Sequence, residues 1–158
     1  MNEKEFDNIL KQINKEKDLE KLVNDYEDFC MHFSCKPDRD EYPYPKKDTV
    51  IDEDKSVKWN REEVERQRTA FEKRVEELNK WKNILCNQYE VRMITLLAKD
   101  YGISYDESSK VWAYAYAEGH SSGVRNVIAV YGDVVDLYED LLKIRENNKK
   151  QGLKNSLK

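Results

Sequence analysis

A mainly α fold is what this sequence predicts, and three observations predict it. Only five glycines and three prolines punctuate 158 residues, too few breakers for the turns of an all-β or doubly wound α/β fold. Apolar residues recur at steps of three and four through most of the chain, the period of a helix buried on one face. Charged residues make up 38% of the chain against 39% for the apolar set, a ratio that leaves a thin core and suits helices with narrow apolar stripes. The expected architecture is an antiparallel helical arm plus a compact C-terminal helical module. Residues 1–90 form the arm with a Pro-rich connector at 35–59, residues 91–147 the module, and residues 148–158 a basic, disordered tail.

The first element spans residues 3 to 34, where Phe6, Ile9, Leu10, Ile13, Leu19, Leu22, Val23, Tyr26, Phe29, Cys30 and Phe33 form one stripe. The stripe misses a beat between Lys15 and Asp18, so the helix is expected to fray or bend there. In the connector, Pro37, Pro43 and Pro45 exclude a helix interior. Thr49-Val50-Ile51 and Ser56-Val57-Lys58-Trp59 flank an acidic turn, a pattern that admits a small β-hairpin.

Asn60 with Glu63 three residues later has the form of a helix N-cap, and Val64, Phe71, Val75, Leu78, Trp81, Leu85 and Tyr89 continue the pattern. Unbroken to Tyr101, such a helix would span roughly 60 Å against about 40 Å for a compact chain of this size, so either it breaks near Asn87 or the molecule is elongated. Its narrow stripe is expected to pack antiparallel on the N-terminal helix. Gly102 then reads as a C-cap and Ser104-Tyr105-Asp106-Glu107 as a capping box opening a helix through Val111, Trp112, Ala115 and Tyr116 to Gly119. Ser121 or Ser122 is expected to cap the last helix, whose broad apolar face runs from Val124 to Ile144.

Several function classes fall away. No run of about 18 apolar residues exists for a membrane span, and the N-terminus is acidic where a signal peptide would be basic, so a cytosolic protein is expected. Cys30, Cys35 and Cys86 are an odd number, which predicts reduced thiols rather than a disulfide framework. With Cys30, His32, Cys35 and Cys86 the chain lacks the paired spacing of a structural zinc site, and no metal or cofactor is expected. Glu118-Gly119-His120-Ser121 crowds a carboxylate, a histidine and a hydroxyl, but the same residue types make a tight helix-helix corner. The turn at Gly102 has the outline of a helix-turn-helix. Its second helix opens on Asp106 and Glu107, the wrong charge for a DNA groove, and the net charge of −4 also disfavours nucleic acid.

The run Val111 to Gly123, followed by Val127 and the last amphipathic helix, resembles a C-terminal module of small phage proteins. The whole chain, rich in Lys, Glu, Asn and Tyr, is similar in style to anti-CRISPR inhibitors of staphylococcal phages and mobile elements. That resemblance implies a non-enzymatic protein that acts in the host cytosol. There it would bind the Cas9-guide RNA complex and block cleavage, as some such inhibitors do by holding the HNH nuclease domain away from the target strand. Acidic faces at Asp25, Glu27 and Asp28 and the loop Asp52, Glu53 and Asp54 would complement a basic nuclease surface, with Tyr42 and Tyr44 as anchors. Two rivals stand beside this reading. One is a helix-turn-helix-like nucleic-acid-binding regulator using Gly102 and the lysine tail, and the other an enzyme or metalloprotein using Glu118 and His120 or the cysteines.

Overall fold

The computed structural model describes residues 1–44, 52–119 and 123–156. In chain order the helices are α1 (Glu3–Lys15), α2 (Leu19–His32), α3 (Val57–Tyr101), α4 (Tyr105–Gly119) and α5 (Val124–Ser156). The fold is mainly α, with no strand among the described residues. Two compact units divide it: Met1–Glu16 with Asn24–Glu90, and Lys17–Val23 with Val91–Lys158.

In the first unit, α1 opens on a capping box. Asn2 Oδ1 accepts from the Glu5 amide at 2.9 Å and Glu5 Oε2 accepts from the Asn2 amide at 3.2 Å, so two of the helix's orphan amides are satisfied. The helix ends where the apolar stripe misses its beat. Glu16 is extended, at φ −66° and ψ 126°, and Asp18 restarts the chain by accepting from the Glu20 amide at 3.0 Å.

Both N-terminal segments pack on α3, in opposite senses. Met1 meets Arg74, Phe6 stacks on Trp81 at 5.4 Å and Asn14 bonds Gln88 at 2.7 Å, so α1 runs parallel to α3. Tyr26 and Phe29 lie on Tyr89 at 5.2 and 5.6 Å while Cys30 reaches back to Cys86, so α2 runs antiparallel. The expected antiparallel pairing therefore holds for α2 and is reversed for α1, because the break at residues 16–18 turns one amphipathic stripe into two.

The start of α3 corrects two expectations. Ser56, not Asn60, is the cap: its Oγ accepts from the Trp59 amide at 3.0 Å. Val57, Lys58 and Trp59 are then the first helical turn rather than a hairpin strand, since a hydroxyl cap outweighs the weak β preference of three residues. The opposing strand, Thr49 to Ile51, lies outside the described residues. Asn60 instead clasps the turn before the helix, donating to the Asp52 and Ser56 carbonyls at 3.2 and 3.1 Å and accepting from the Asp52 amide at 3.0 Å. From Val57 to Tyr101 α3 runs 45 residues without a break at Asn87, containing neither glycine nor proline to interrupt it.

The second unit holds most of the buried side chains. Met93, Ile94, Leu96, Leu97 and Ala98 are buried at the end of α3. There Gly102 (φ +66°) closes a Schellman motif, with Ile103 N donating to Ala98 O at 3.0 Å and Gly102 N to Lys99 O at 3.3 Å. Ser104 caps α4 through the Glu107 amide at 3.2 Å. Val111, Trp112 and Ala115 of α4 and Val127, Tyr131 and Val135 of α5 are buried where these two helices pack together. Inside this core Ser108 Oγ donates to the Ile94 carbonyl at 2.8 Å. Having given up its one proton, it accepts from the Tyr131 hydroxyl at 2.6 Å.

At the start of α5, Gly123 (φ +93°) occupies the capping position, and Ser121 and Ser122 lie outside the described residues. The helix then continues to Ser156, so residues 148–156 of the expected disordered tail are helical, and residues 157–158 lie outside the described residues.

Candidate protein-binding surface

The residues expected to form a contact surface are held apart. Arg74 lies over the rings of Tyr42 and Trp81 at 6.0 and 5.1 Å, bonds the Met1 carbonyl and pairs with Glu77 at 2.9 Å. Tyr44 meets Phe71 edge-on at 5.9 Å. Both tyrosines are half-buried by these contacts, which fasten the connector to α3. Asp25 and Asp28 are exposed on α2 and Glu27 is half-buried. Asp52, Glu53 and Asp54 precede α3, where Asp52 Oδ1 accepts from the Asp54 amide at 3.0 Å and carboxylates suit the positive end of the helix. Because Asp52 is clasped to Asn60 while Tyr26 sits on Tyr89, the two acidic groups are about 40 Å apart along α3. They do not make one surface.

The cysteines sit on the α2–α3 seam. Cys30 is exposed, Cys35 and Cys86 are half-buried, and all three are free thiols. Burial, then the neighbouring Cys30, pushes the Cys86 thiol up. Burial also raises Tyr26, whose hydroxyl bonds Cys30, and lifts Tyr89 to about 12, with Asp25 adding to the effect. No cluster of three or more metal-ligating side chains exists among the described residues, and His32 is exposed. His120 lies outside the described residues, while Glu118 is exposed on the last turn of α4. At the helix-turn-helix outline, α4 turns Ser108 into the core and presents Tyr105 and Asp106 to solvent.

The surface that the structure does assemble lies elsewhere, between α4 and α5. Tyr114 and Glu118 form one wall, and Val130, Asp133, Val134, Leu137 and Tyr138 the other, around a cavity of about 350 Å³. Tyr114 is 63% exposed and Leu137 60%. The groove arises because each helix carries more apolar residues than its core contact uses. Val111, Trp112 and Ala115 face inward from α4, leaving Tyr114 on the flank, and Val127, Tyr131 and Val135 do so from α5, leaving Val130, Val134 and Leu137. Of these flanking residues only Val134 belongs to the apolar face read from the sequence, and Tyr114, Val130 and Leu137 fall outside it. The excess breadth of the α5 face, from Val124 to Ile144, was the signal that part of it lacks an intramolecular partner.

The surroundings are acidic. Asp106, Glu107, Glu118, Asp133, Asp136, Glu139 and Asp140 stand against Lys110 and Arg125 in α4 and α5 as far as Leu142. Arg125 is drawn to Glu20 at 3.1 Å, near the start of α5. An aromatic and aliphatic patch with a carboxylate rim is equipped to bind a complementary macromolecular surface: the apolar centre supplies desolvation and the rim selects for positive charge. Among the described residues no helix is long and apolar enough to cross a membrane. Compared with known family models, curated proteins and solved structures, the chain matches none.

Proposed function

We propose that this is a non-enzymatic binding protein that works by occupying another protein, and that its target is the Cas9-guide RNA complex suggested by its resemblance to phage anti-CRISPR inhibitors. The observation that carries the binding reading is the groove between α4 and α5, with Tyr114 and Leu137 exposed beside Glu118 and Asp133. Tyrosine brings a large contact area with few rotatable bonds, and a basic nuclease surface complements the rim. On this reading the contact moves from the two separated acidic groups of the first unit to the second unit. Occupying the HNH domain would keep it from the target strand without any chemistry by the inhibitor. Reading of DNA through α4 is disfavoured, because its exposed first turn carries Asp106 where phosphate contacts call for Lys or Arg.

Co-purification with guide-loaded Cas9 and a target-cleavage assay test the proposal. Wild-type protein is expected to co-purify and to stop cleavage, and Leu137→Asp to lose both. Absence of binding and inhibition by the wild type would remove Cas9 as the target.

A further inference from the structure

We infer that the α4–α5 groove seats a basic amphipathic helix of the partner, an inference that rests on the groove being the binding surface. The secondary structure of the occupant follows from the walls. Both are helices, whose interior amides and carbonyls are already bonded within each helix, so the groove offers no backbone edge to which an extended segment could add. An extended chain laid against Val130, Val134 and Leu137 would have its own polar backbone desolvated without partners. A helix brings its backbone bonds with it and needs only side-chain contact.

The length also fits. The α5 wall from Val130 to Tyr138 rises about 12 Å, which matches two turns of an incoming helix with apolar side chains at i, i+3 or i+4, and i+7.

The charge of the occupant follows from the rim. Glu118 and Asp133 line the groove and Asp136 and Asp140 follow on the exposed side of α5, while no Lys or Arg occurs between Arg125 and Lys143. Lys or Arg flanking the apolar stripe of the occupant would therefore meet carboxylates on both walls. A second copy of this chain could offer the basic end of its own α5. That stretch, KIRENNKKQGLKNS, has only Ile144 and Leu153 as apolar residues. Nine positions apart, they make no two-turn stripe, so the observations favour a foreign helix.

The test uses the full chain and two blocked, fluorescently labelled helical peptides sharing one leucine stripe, one with lysine and arginine flanks and the other with glutamate flanks. By anisotropy the basic peptide is expected to bind at least tenfold more tightly. Glu118→Lys with Asp133→Lys should invert that preference, and Leu137→Ala should weaken both peptides. The inversion is a gain of binding that misfolding would not produce. Equal binding of the two peptides, binding of neither, or a preference untouched by the charge reversal overturns the inference. So does concentration-dependent dimerisation abolished by Leu137→Ala, which would make a second copy the occupant. If the basic peptide binds as expected but Cas9 does not, the groove inference stands and the proposed target fails. If Cas9 is bound and inhibited equally by wild type, Leu137→Ala and the charge-reversed variant, the target stands and the groove inference fails.

Discussion

The two units of this molecule are stabilised in different ways. Among the described residues the first unit buries Ile13, Leu78, Leu85 and Tyr89 almost completely, and otherwise relies on half-buried rings and the hub at Arg74. The second buries an apolar set from Met93 to Val135, with a closed polar relay through Ser108 inside it. Ring contacts at a surface supply area and direction without removing much of each ring from water. A sealed interior supplies transfer free energy, but every polar group in it must be satisfied. The unit with the sealed interior is also the one that leaves an apolar groove on its outside. Its helices can expose Tyr114 and Leu137 because their inward faces already hold them together.

Substitutions in each unit measure this difference. The largest effect is expected for Tyr131→Ala, which removes a fully buried ring and the donor to Ser108 and should cost about 3–5 kcal/mol in chemical denaturation. Leu85→Ala, in the seam of the first unit, should cost about 2–4 kcal/mol, whereas Val64→Ala, half-buried further up α3, should cost under about 1 kcal/mol. Equal losses at Leu85 and Val64 would mean that the arm is packed evenly along its length. Tyr131→Phe isolates the hydroxyl and should cost about 1 kcal/mol, because Ser108 keeps its bond to Ile94. Removing the cap of α4 with Ser104→Ala should cost about 1 kcal/mol in the same measurement.

An alkaline titration probes the buried phenols, Tyr89 and Tyr26 in the first unit and Tyr131, raised by burial, in the second. Tyr89 is lifted to about 12 and Tyr26 is raised as well, both chiefly by burial. A phenol whose folded value lies above its unfolded value near 10 contributes stability that is complete below pH 10. That contribution is lost as the pH climbs through the folded value. Stability of the first unit is therefore expected to fall from about pH 10 toward about pH 12, a slope that Tyr89→Phe should flatten in denaturation curves followed by tyrosinate absorbance.

Much of this fold is legible in the sequence where punctuation is local. Gly102 followed by Ser104 announces the end of α3 and the start of α4 because a left-handed cap and a hydroxyl cap act on their own neighbours. The start of α3 is less legible: Ser56 and Asn60 are both capping residue types one turn apart, and the clasp to Asp52 that assigns Asn60 its role depends on the path of the connector. The parallel course of α1 is not legible, since a missed beat at residues 16–18 signals a break and not its angle. Nor is the separation of Asp25–Asp28 from Asp52–Asp54, which depends on where each packs along α3. The groove is hidden because Val134 and Tyr138 share the period of the core residues Val127, Tyr131 and Val135. Periodicity identifies an apolar face without saying how much of it the chain covers.

Whether the α4–α5 groove inhibits the nuclease is decided by a guide-loaded Cas9 cleavage assay titrated with wild-type protein and with Leu137→Asp, a substitution at an exposed position whose folding is checked by circular dichroism. Wild type is expected to suppress cleavage stoichiometrically and folded Leu137→Asp to leave cleavage intact. Suppression of equal strength by both would contradict that role of the groove.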